Sequence, residues 1–268
     1  AELMAAEVPV VGPLVLDGRT LHEHAGFLFS VSPRRGGRAP ELDDPDTLEA
    51  IGRFLARLHV VGAAAPFTER PAIDADTHGH TPRDWLLAHG AVAPEVQAEW
   101  AEVSQNAIEI AAARADPSRA AGQFDSDIAP ITTLRLHADC HAGNILWTPL
   151  DAPGGGPHFV DMDDCRTGPA VQDLWMLLSG ERHEQQRQLG ALIDGYEQVR
   201  DFDRRELALI EPLRTLRLIH YSAWLAQRWA DPAFPAAFPW FGTPDYWRGQ
   251  IHMLTDQIEA MQAPALVV

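Results

Sequence analysis

The sequence predicts an α+β fold in which a β-rich beginning is followed by a mostly helical body. Short extended segments bounded by Gly and Pro occupy much of residues 14–32, after a start that looks like the end of an amphipathic helix (Leu3, Met4 and Val8). Apolar residues recur at helical spacing over much of residues 34–268. One group of short strands interrupts the helices at residues 131–160. Helices gathered around a small antiparallel sheet are typical of α+β proteins and not of doubly wound α/β proteins.

The β-rich beginning contains two strand signals. Asp17-Gly18 predicts the turn of a hairpin between Leu14–Leu16 and Thr20–His24, and a further strand is predicted at Phe27–Ser32. The Pro- and Gly-rich stretch Pro33–Gly37 then ends regular structure. We therefore place a boundary between residues 1–33 and residues 34–268.

The helical body is predicted from apolar spacing and from start and stop signals. Asp46 is expected to cap the first helix, and His59 near its end is expected to be a core or capping histidine. The predicted strands are residues 131–136, 145–148 and 158–160, which form one small sheet. The predicted helices are residues 47–62, 81–89, 94–115, 171–178, 184–199, 203–229 and 245–261, with an aromatic loop at 231–244.

One loop concentrates the polar side chains that could do chemistry. It joins two predicted strands and contains His137, Asp139, His141 and Asn144, and Asp161 follows the next strand. Side chains at strand ends are held in nearly fixed positions, which suits the binding of a divalent cation and the placement of a catalytic carboxylate.

Two hydrolytic interpretations of these residues have weaknesses. In a metal-dependent hydrolase, His137, Asp139 and His141 would be the ligands, but the Ala-Gly pair that follows breaks the strand needed to place them on one face. In a phosphatase, Asp161 would be the nucleophile and Asp163 its neighbouring acid. That motif is expected to open an alternating βα domain, whereas only helices follow it here.

The third interpretation is phosphoryl transfer to a hydroxyl. Asn144 follows Asp139 by the spacing of a kinase catalytic loop, and Asp161 after the next hairpin supplies a carboxylate for the metal. Mg²⁺ prefers oxygen ligands and bridges nucleotide phosphates, so ATP and Mg²⁺ are the expected cofactors. His137 is then structural and bonds backbone near the loop. The competing explanation is turn chemistry alone, because Asp and Asn are common in loops.

These motifs resemble those of the aminoglycoside phosphotransferase and choline kinase superfamily. The closer resemblance is to the bacterial stress response kinase A group of serine/threonine protein kinases. It rests on LHADCHAGNILW (136–147), HFVDMDDCRTGPAVQDLWMLLSG (158–180), SPRRGGRAPEL (32–42) and GRFLARLH (52–59), and it extends from about Val8 to the final helix. The resemblance implies a protein-kinase-like fold, with residues 1–33 as the remnant of a small N-terminal lobe and residues 34–268 as a helical C-terminal lobe.

The resemblance also implies roles for individual residues. Asp139 would be the catalytic base, Asn144 and Asp161 the Mg²⁺ ligands, and His137 and Asp173 structural supports of the catalytic loop. The residues implied to contact the adenine of ATP are Phe29, Ser30, Val31, Ser32, Leu146 and Val160.

Two departures from the family pattern affect the expected activity. All 21 basic residues are Arg, so the Lys that holds ATP phosphates in the family has no counterpart. The family's phosphate-covering loop and the acid that pairs with this Lys are expected ahead of the region where this sequence begins. We therefore expect a truncated small lobe and weak or absent activity of the chain alone. Ala138 stands where the family usually has Gly, and residues 151–157 lengthen the following hairpin.

Composition limits the partners and the compartment. The formal charge of −17 argues against nucleic acid or an anionic membrane as a partner. With only Cys140 and Cys165, a disulfide framework is not expected, and a monomer in a reducing cytoplasm fits. The family resemblance implies that the acceptor is Ser or Thr of a protein. The alternatives are a small-molecule alcohol (an aminoglycoside, choline or homoserine) and a nucleotide-binding module without turnover.

Overall fold

A computed structural model describes residues 1–115 and 130–268 of the chain. Its contacts define two compact units. The first comprises Ala1–Arg70, Thr133–Asp203 and Val268, and the second comprises Pro71–Thr132 and Arg204–Val267. The lobe boundary that we place after residue 33 stays a prediction. Over the described ranges, no helix combines the length and the apolarity needed to cross a bilayer.

Helices and three short two-stranded sheets make up the regular structure of the described residues, as expected of an α+β protein, and all three sheets lie in the first unit. In chain order the elements are α1 (Glu2–Ala5), β1 (His22–His24), β2 (Phe27–Phe29), α2 (Pro45–Ala63), a π-helical turn (Asp76–His80), α3 (Thr81–Ala88), α4 (Gln97–Ala115), β3 (Leu134–Leu136), a 3₁₀ turn (Ala142–Asn144), β4 (Ile145–Thr148), β5 (Gly156–Phe159), β6 (Arg166–Gly168), α5 (Val171–Trp175), α6 (Arg182–Tyr196), a 3₁₀ segment (Arg204–Leu209), α7 (Ile210–Gln227), α8 (Ala233–Ala237) and α9 (Pro244–Gln262).

The predicted single sheet around the polar loop is wrong in its pairing. The structure has two antiparallel pairs there, with β3 next to β6 and β4 next to β5. Leu134 lies opposite Gly168, and Ile145 lies opposite Phe159. Strand β6 was not predicted, because Arg-Thr-Gly has neither an apolar run nor alternation. The polar loop therefore connects β3, which belongs to one sheet, to β4, which belongs to another.

Two turns with positive φ shape the beginning of the first unit. Asp17-Gly18 has φ values of 50° and 75° and forms the predicted turn, but strand pairing beside it is limited to a single bridge. The paired strands β1 and β2 instead flank Ala25-Gly26, with φ values of 51° and 82°. Strand β2 ends at Phe29 and not at the predicted residue 32. The chain beyond it pairs elsewhere, since the Leu14 amide donates to the Val31 carbonyl at 2.7 Å.

Helix α2 begins earlier than predicted, with a different cap. Asp44, and not Asp46, is the capping residue: its carboxylate accepts from the Asp46 amide at 3.3 Å and from the Thr47 hydroxyl at 2.6 Å. Pro45 occupies the first helical position, where its missing N–H costs nothing. The apolar residues of α2 that are buried in the first unit include Leu48, Ile51, Leu55 and Leu58.

Helices α2 and α6 pack backbone against backbone at two glycines. A Cβ added to Gly52 would lie 1.9 Å from the Leu192 carbonyl oxygen, and one added to Gly195 would lie 1.9 Å from the Glu49 carbonyl oxygen. At the end of α2, a Cβ on Gly62 would meet the carbonyl oxygen of residue 135 in β3. These close approaches place the last turns of α2 against the strand that leads into the polar loop.

The second unit has its own core, built by α3, α4, α7 and α9. Trp100 and Trp247 are fully buried in it, with ring centroids 5.4 Å apart in an edge-to-face arrangement. Several predicted boundaries are wrong here. The helix predicted from residue 94 begins at Gln97, the helix predicted at 203–229 divides into a 3₁₀ segment and α7, and the aromatic loop contains α8.

Candidate active site

The polar loop brings Asp139 and Asn144 into direct contact. The Asn144 side-chain amide nitrogen donates to the Asp139 carbonyl at 2.9 Å and to its carboxylate Oδ2 at 3.3 Å. Both bonds use the nitrogen of this amide, and neither uses its oxygen. Asn144 is buried, and the Asp139 side chain is 19% exposed. The loop therefore presents a carboxylate that is accessible but restrained.

His141 lies beside the same carboxylate. Its Nδ1 accepts a hydrogen bond from the Gly143 amide at 3.0 Å, so a neutral ring carries its proton on Nε2. That Nε2 is 3.6 Å from Asp139 Oδ2. The ring thus presents an N–H toward Asp139.

The segment after β5 places Asp161 next to this loop. The Val160 amide donates to the Asn144 carbonyl at 3.0 Å, and His137 Nε2 donates to the Val160 carbonyl at 2.8 Å. Asp161 follows directly, with a φ of 60° that residues other than Gly rarely adopt. The backbone carrying Asp161 is thus tied to the loop that carries Asp139.

A buried carboxylate, that of Asp173, forms hydrogen bonds with the backbone of the loop. Asp173, in the first turn of α5, is fully buried and accepts from the His137 amide at 2.9 Å and the Ala138 amide at 2.7 Å. It also accepts from His59 Nε2 at 3.0 Å, and the Tyr196 hydroxyl lies 2.9 Å from His59 Nδ1. Ala138 has a φ of 69°, which explains why Gly suits this position. The network joins α2, α5 and α6 to the backbone of the loop.

Sequence reasoning did not give three of these supporting residues a role at the site. His59 was expected only to fill the core or cap a helix, and Tyr196 and Gln172 were not singled out. Gln172 donates to the Ala138 carbonyl at 2.9 Å. The one available signal was His59 itself, a polar residue on the apolar face of α2.

A cavity of about 620 Å³ lies within the first unit and includes part of the candidate site. Its walls present polar and apolar surface in similar amounts, and its size is typical of small-molecule sites. Asp161 and Arg70 add charge to it, and Ser30 and Ser32 of the implied adenine set also line it. The structure therefore brings two of the implied adenine residues to the same cavity as the candidate metal ligand Asp161.

The other implied adenine residues lie in different surroundings. Phe29 and Val31 are 43% and 38% exposed. Leu146 lies opposite His158 in the β4–β5 pair, and a Cβ on Gly37 would lie 2.8 Å from its Cβ. Val160, the sixth member of the set, is held by the backbone bonds that position Asp161.

The contacts of His137 argue against the metal-hydrolase interpretation. Within residues 1–115 and 130–268, no group of three or more His, Cys, Asp or Glu side chains could hold a metal ion. His137 is unsuited to such a role, because its Nε2 bonds the Val160 carbonyl and its Nδ1 is buried. Asn144 and Asp161, with phosphate oxygens as further ligands, still fit the oxygen preference of Mg²⁺.

The two cysteines near the site are poor nucleophiles. Burial raises the pKa of Cys165 to about 11, with a smaller contribution from the charge of Asp173. Burial also raises the pKa of Cys140 well above its usual value, and the nearby carboxylates add to this effect. Both thiols therefore stay protonated at neutral pH, as expected of residues that fill space.

Comparisons with known proteins identify the family. The model of the phosphotransferase enzyme family matches residues 1–210. The serine/threonine protein kinase RdoA of Salmonella typhimurium is 44% identical over 265 residues, covering 99% of this chain and 75% of that protein. Stress response kinase A of Escherichia coli K12 is 43% identical with the same coverage. The resemblance to the stress response kinase A group is thereby confirmed.

Solved structures agree on the fold. The amicoumacin kinase hAmiN, solved with AMP-PNP, Ca²⁺ and Ami, has a TM-score of 0.64 at 18% identity, covering 95% of this chain and 75% of that one. A microcompartment-associated aminopropanol kinase has a TM-score of 0.61 at 20% identity, covering 97% and 79%. The chain therefore belongs to the phosphotransferase enzyme family, as a kinase with the protein-kinase-like α+β fold predicted from its sequence.

Proposed function

We propose that this chain binds Mg·ATP and transfers the γ-phosphate to a hydroxyl group. Asp139 would orient the acceptor hydroxyl and take its proton, while the Asn144 amide oxygen and the Asp161 carboxylate would hold Mg²⁺. When bound, the cation neutralises charge on the phosphates. The observation that carries the proposal is the coupling of these residues, since Asn144 contacts Asp139 through its side chain and the Asp161 segment through its carbonyl.

The implied adenine residues belong to the same proposal. Ser30 and Ser32 line the cavity that Asp161 also lines, which is consistent with a nucleotide spanning from the segment after β2 to the segment after β5. We assign Phe29, Val31, Leu146 and Val160 to this site on the family resemblance alone. The nucleotides named for solved kinases of this fold support the general type of ligand.

Ser or Thr of a protein is the acceptor that we favour. The support is the name serine/threonine protein kinase given to a relative that is 44% identical over almost the whole chain. A small-molecule alcohol such as an aminoglycoside, choline or homoserine is the alternative. The amicoumacin kinase, the aminopropanol kinase and a spectinomycin phosphotransferase of known structure are 18%, 20% and 12% identical to this chain, and they support the fold alone. A cytoplasmic, monomeric protein completes the proposal, and free Cys140 and Cys165 fit it.

A nucleotide-binding module without turnover is the second candidate, favoured by the absence of Lys from the sequence. Charge stabilisation of a transferring phosphoryl group contributes several kcal/mol in comparable sites. Without a Lys, that stabilisation has to come from Mg²⁺ and Arg. We therefore expect weak transfer by this chain.

Thermal shift and phosphoryl transfer measured together test the proposal. Mg·ATP should raise the melting temperature of the wild type, and ATP with EDTA should not. Asp161→Asn should lose this shift, whereas Asp139→Asn should keep it and lose transfer of labelled phosphate to a generic protein acceptor. Asp245→Asn, at a side chain of the second unit that is 93% exposed, is the control and should resemble the wild type.

Three outcomes separate the candidates. A full Mg·ATP shift in Asp161→Asn would overturn the metal assignment. A shift without transfer to protein or to small alcohols would favour the binding module. Phosphomonoester hydrolysis that is lost in Asp161→Asn and in Asp163→Asn but kept in Asp139→Asn would favour the phosphatase-like interpretation.

A further inference from the structure

The segment between β5 and β6 has to hold Asp161 in an unfavourable backbone conformation. Asp161 combines a φ of 60° with an exposed position, and residues 160–165 form neither helix nor strand. A strained conformation of this kind persists only where the surrounding structure holds it in place. On the upstream side, the bonds of Val160 to Asn144 and to His137 supply that restraint.

Arg70 supplies the restraint on the downstream side. Its Nη1 donates to the Asp163 carbonyl at 2.5 Å and to the Cys165 carbonyl at 3.1 Å. These acceptors are 93 and 95 residues away in the sequence, so the contact crosses the fold. Arg166 also donates to the Cys165 carbonyl, at 3.0 Å, but it is the next residue and moves with the segment.

The position of Arg70 suits a positioning role. Its guanidinium carbon lies 5.8 Å from the centre of the Phe67 ring, which supports the side chain near the loop. A guanidinium is always charged and directs several N–H groups in fixed directions, so one side chain can hold two carbonyls at a set spacing. Arg70 also lines the cavity that Asp161 lines.

We propose that Arg70 is a positioning residue for the candidate metal ligand Asp161. Its hydrogen bonds to the Asp163 and Cys165 carbonyls hold the backbone that follows Asp161 in place. This inference rests on the proposed function, because it takes Asp161 to be a Mg²⁺ ligand. Groups that orient a metal ligand typically change metal affinity by 10- to 100-fold when they are removed.

The sequence offers a matched control for Arg70. Arg57 also donates to two backbone carbonyls, those of Ala6 and Glu7, at 3.3 and 2.9 Å. Its guanidinium carbon lies 5.5 Å from the centre of the Phe54 ring. Arg57→Ala therefore removes the same kinds of contact as Arg70→Ala, but away from the segment that carries Asp161.

The first measurement is hydrogen–deuterium exchange on the ligand-free full chain. Arg70→Ala should speed exchange of peptides covering residues 160–166, with the α2 and α6 peptides unchanged. Arg57→Ala should leave residues 160–166 at the wild-type rate. Unchanged exchange of residues 160–166 in Arg70→Ala would overturn the proposal, and so would equal acceleration in both variants.

The second measurement is binding of Mn²⁺ in the presence of ADP, followed by electron paramagnetic resonance. Arg70→Ala should weaken Mn²⁺ affinity about 10-fold. Arg70→Lys should recover part of the lost affinity, because an ammonium group keeps the positive charge but lacks the planar, forked arrangement of N–H donors of a guanidinium. Equal affinity of Arg70→Ala and wild type would overturn the proposal. A wild type that binds no Mn²⁺ with ADP contradicts the proposed function instead, and exchange then still decides whether Arg70 holds the segment.

Discussion

Replacing Asp173 by Asn should strongly destabilise the chain although it changes no more than one heavy atom. Three N–H groups converge on the Asp173 carboxylate, two on Oδ2 from His137 and His59 and one on Oδ1 from Ala138. An Asn side chain has one oxygen, so its amide nitrogen must face at least one of these donors. Even the better orientation, with the nitrogen toward Ala138, leaves two buried donors facing each other.

The magnitude follows from these contacts. Each buried donor left without an acceptor costs roughly 1–3 kcal/mol, and exchanging a charged acceptor for a neutral one weakens the other two bonds. Together these terms predict a loss of about 2–5 kcal/mol in the free energy of unfolding. Tyr196→Phe leaves the buried Nδ1 of His59 without its hydrogen-bond partner and should cost roughly 1–3 kcal/mol.

Urea unfolding followed by tryptophan fluorescence measures the effect. Asp245→Asn is the control, because that side chain is 93% exposed and its ion pair with Arg248 lies on the surface. This control should stay within about 0.5 kcal/mol of the wild type. A loss below about 1 kcal/mol in Asp173→Asn would refute the view that this carboxylate holds the loop backbone.

Three further predictions concern packing, backbone conformation and pH. Gly195→Ala should lower the free energy of unfolding by roughly 1–3 kcal/mol, because the added methyl group would clash with the Glu49 carbonyl. Gly190→Ala, in the same helix but with open space around it, should raise the free energy of unfolding by about 0.5–1 kcal/mol. Thermal melts of the two variants and the wild type measure both effects. Ala138→Gly should be at least as stable as the wild type in urea, because φ is 69° there, and a clear loss would contradict this reasoning. Burial raises the pKa of Tyr246 from 10.0 to about 12. About 3 kcal/mol of stability that is present below pH 10 should therefore be lost as the pH rises toward 12. The urea midpoint of Tyr246→Phe should decline less than that of the wild type over this pH range.

The helices illustrate what local pattern can predict. Apolar residues at helical spacing indicated α2, α4 and α9, because a helix buries one face whatever its neighbours are. The ends were less predictable. Asp44 and Asp46 both precede the apolar run of α2, and only the backbone geometry shows that Asp44 accepts the capping bonds.

In the candidate site, too, some features could be predicted from the sequence and others could not. The order and spacing of Asp139, Asn144 and Asp161 were visible in the sequence, because one loop and one strand end carry them. Their supports were not visible. His59 lies 114 residues from Asp173, and Arg70 lies 93 residues from Asp163. No local periodicity relates residues so far apart, and only folding brings them into contact.

The sequence by itself determined the α+β class, the helical periodicity, the turn at Asp17-Gly18 and the position of the loop that we propose as the site. These features depend on interactions between near neighbours along the chain. The tertiary structure alone decided that β3 pairs with β6, that Asp173 collects donors from His59 and the loop backbone, and that Arg70 reaches the segment after Asp161. Each of these contacts depends on the three-dimensional path of the backbone, because hydrogen bonds require distances near 3 Å between groups that are far apart in sequence.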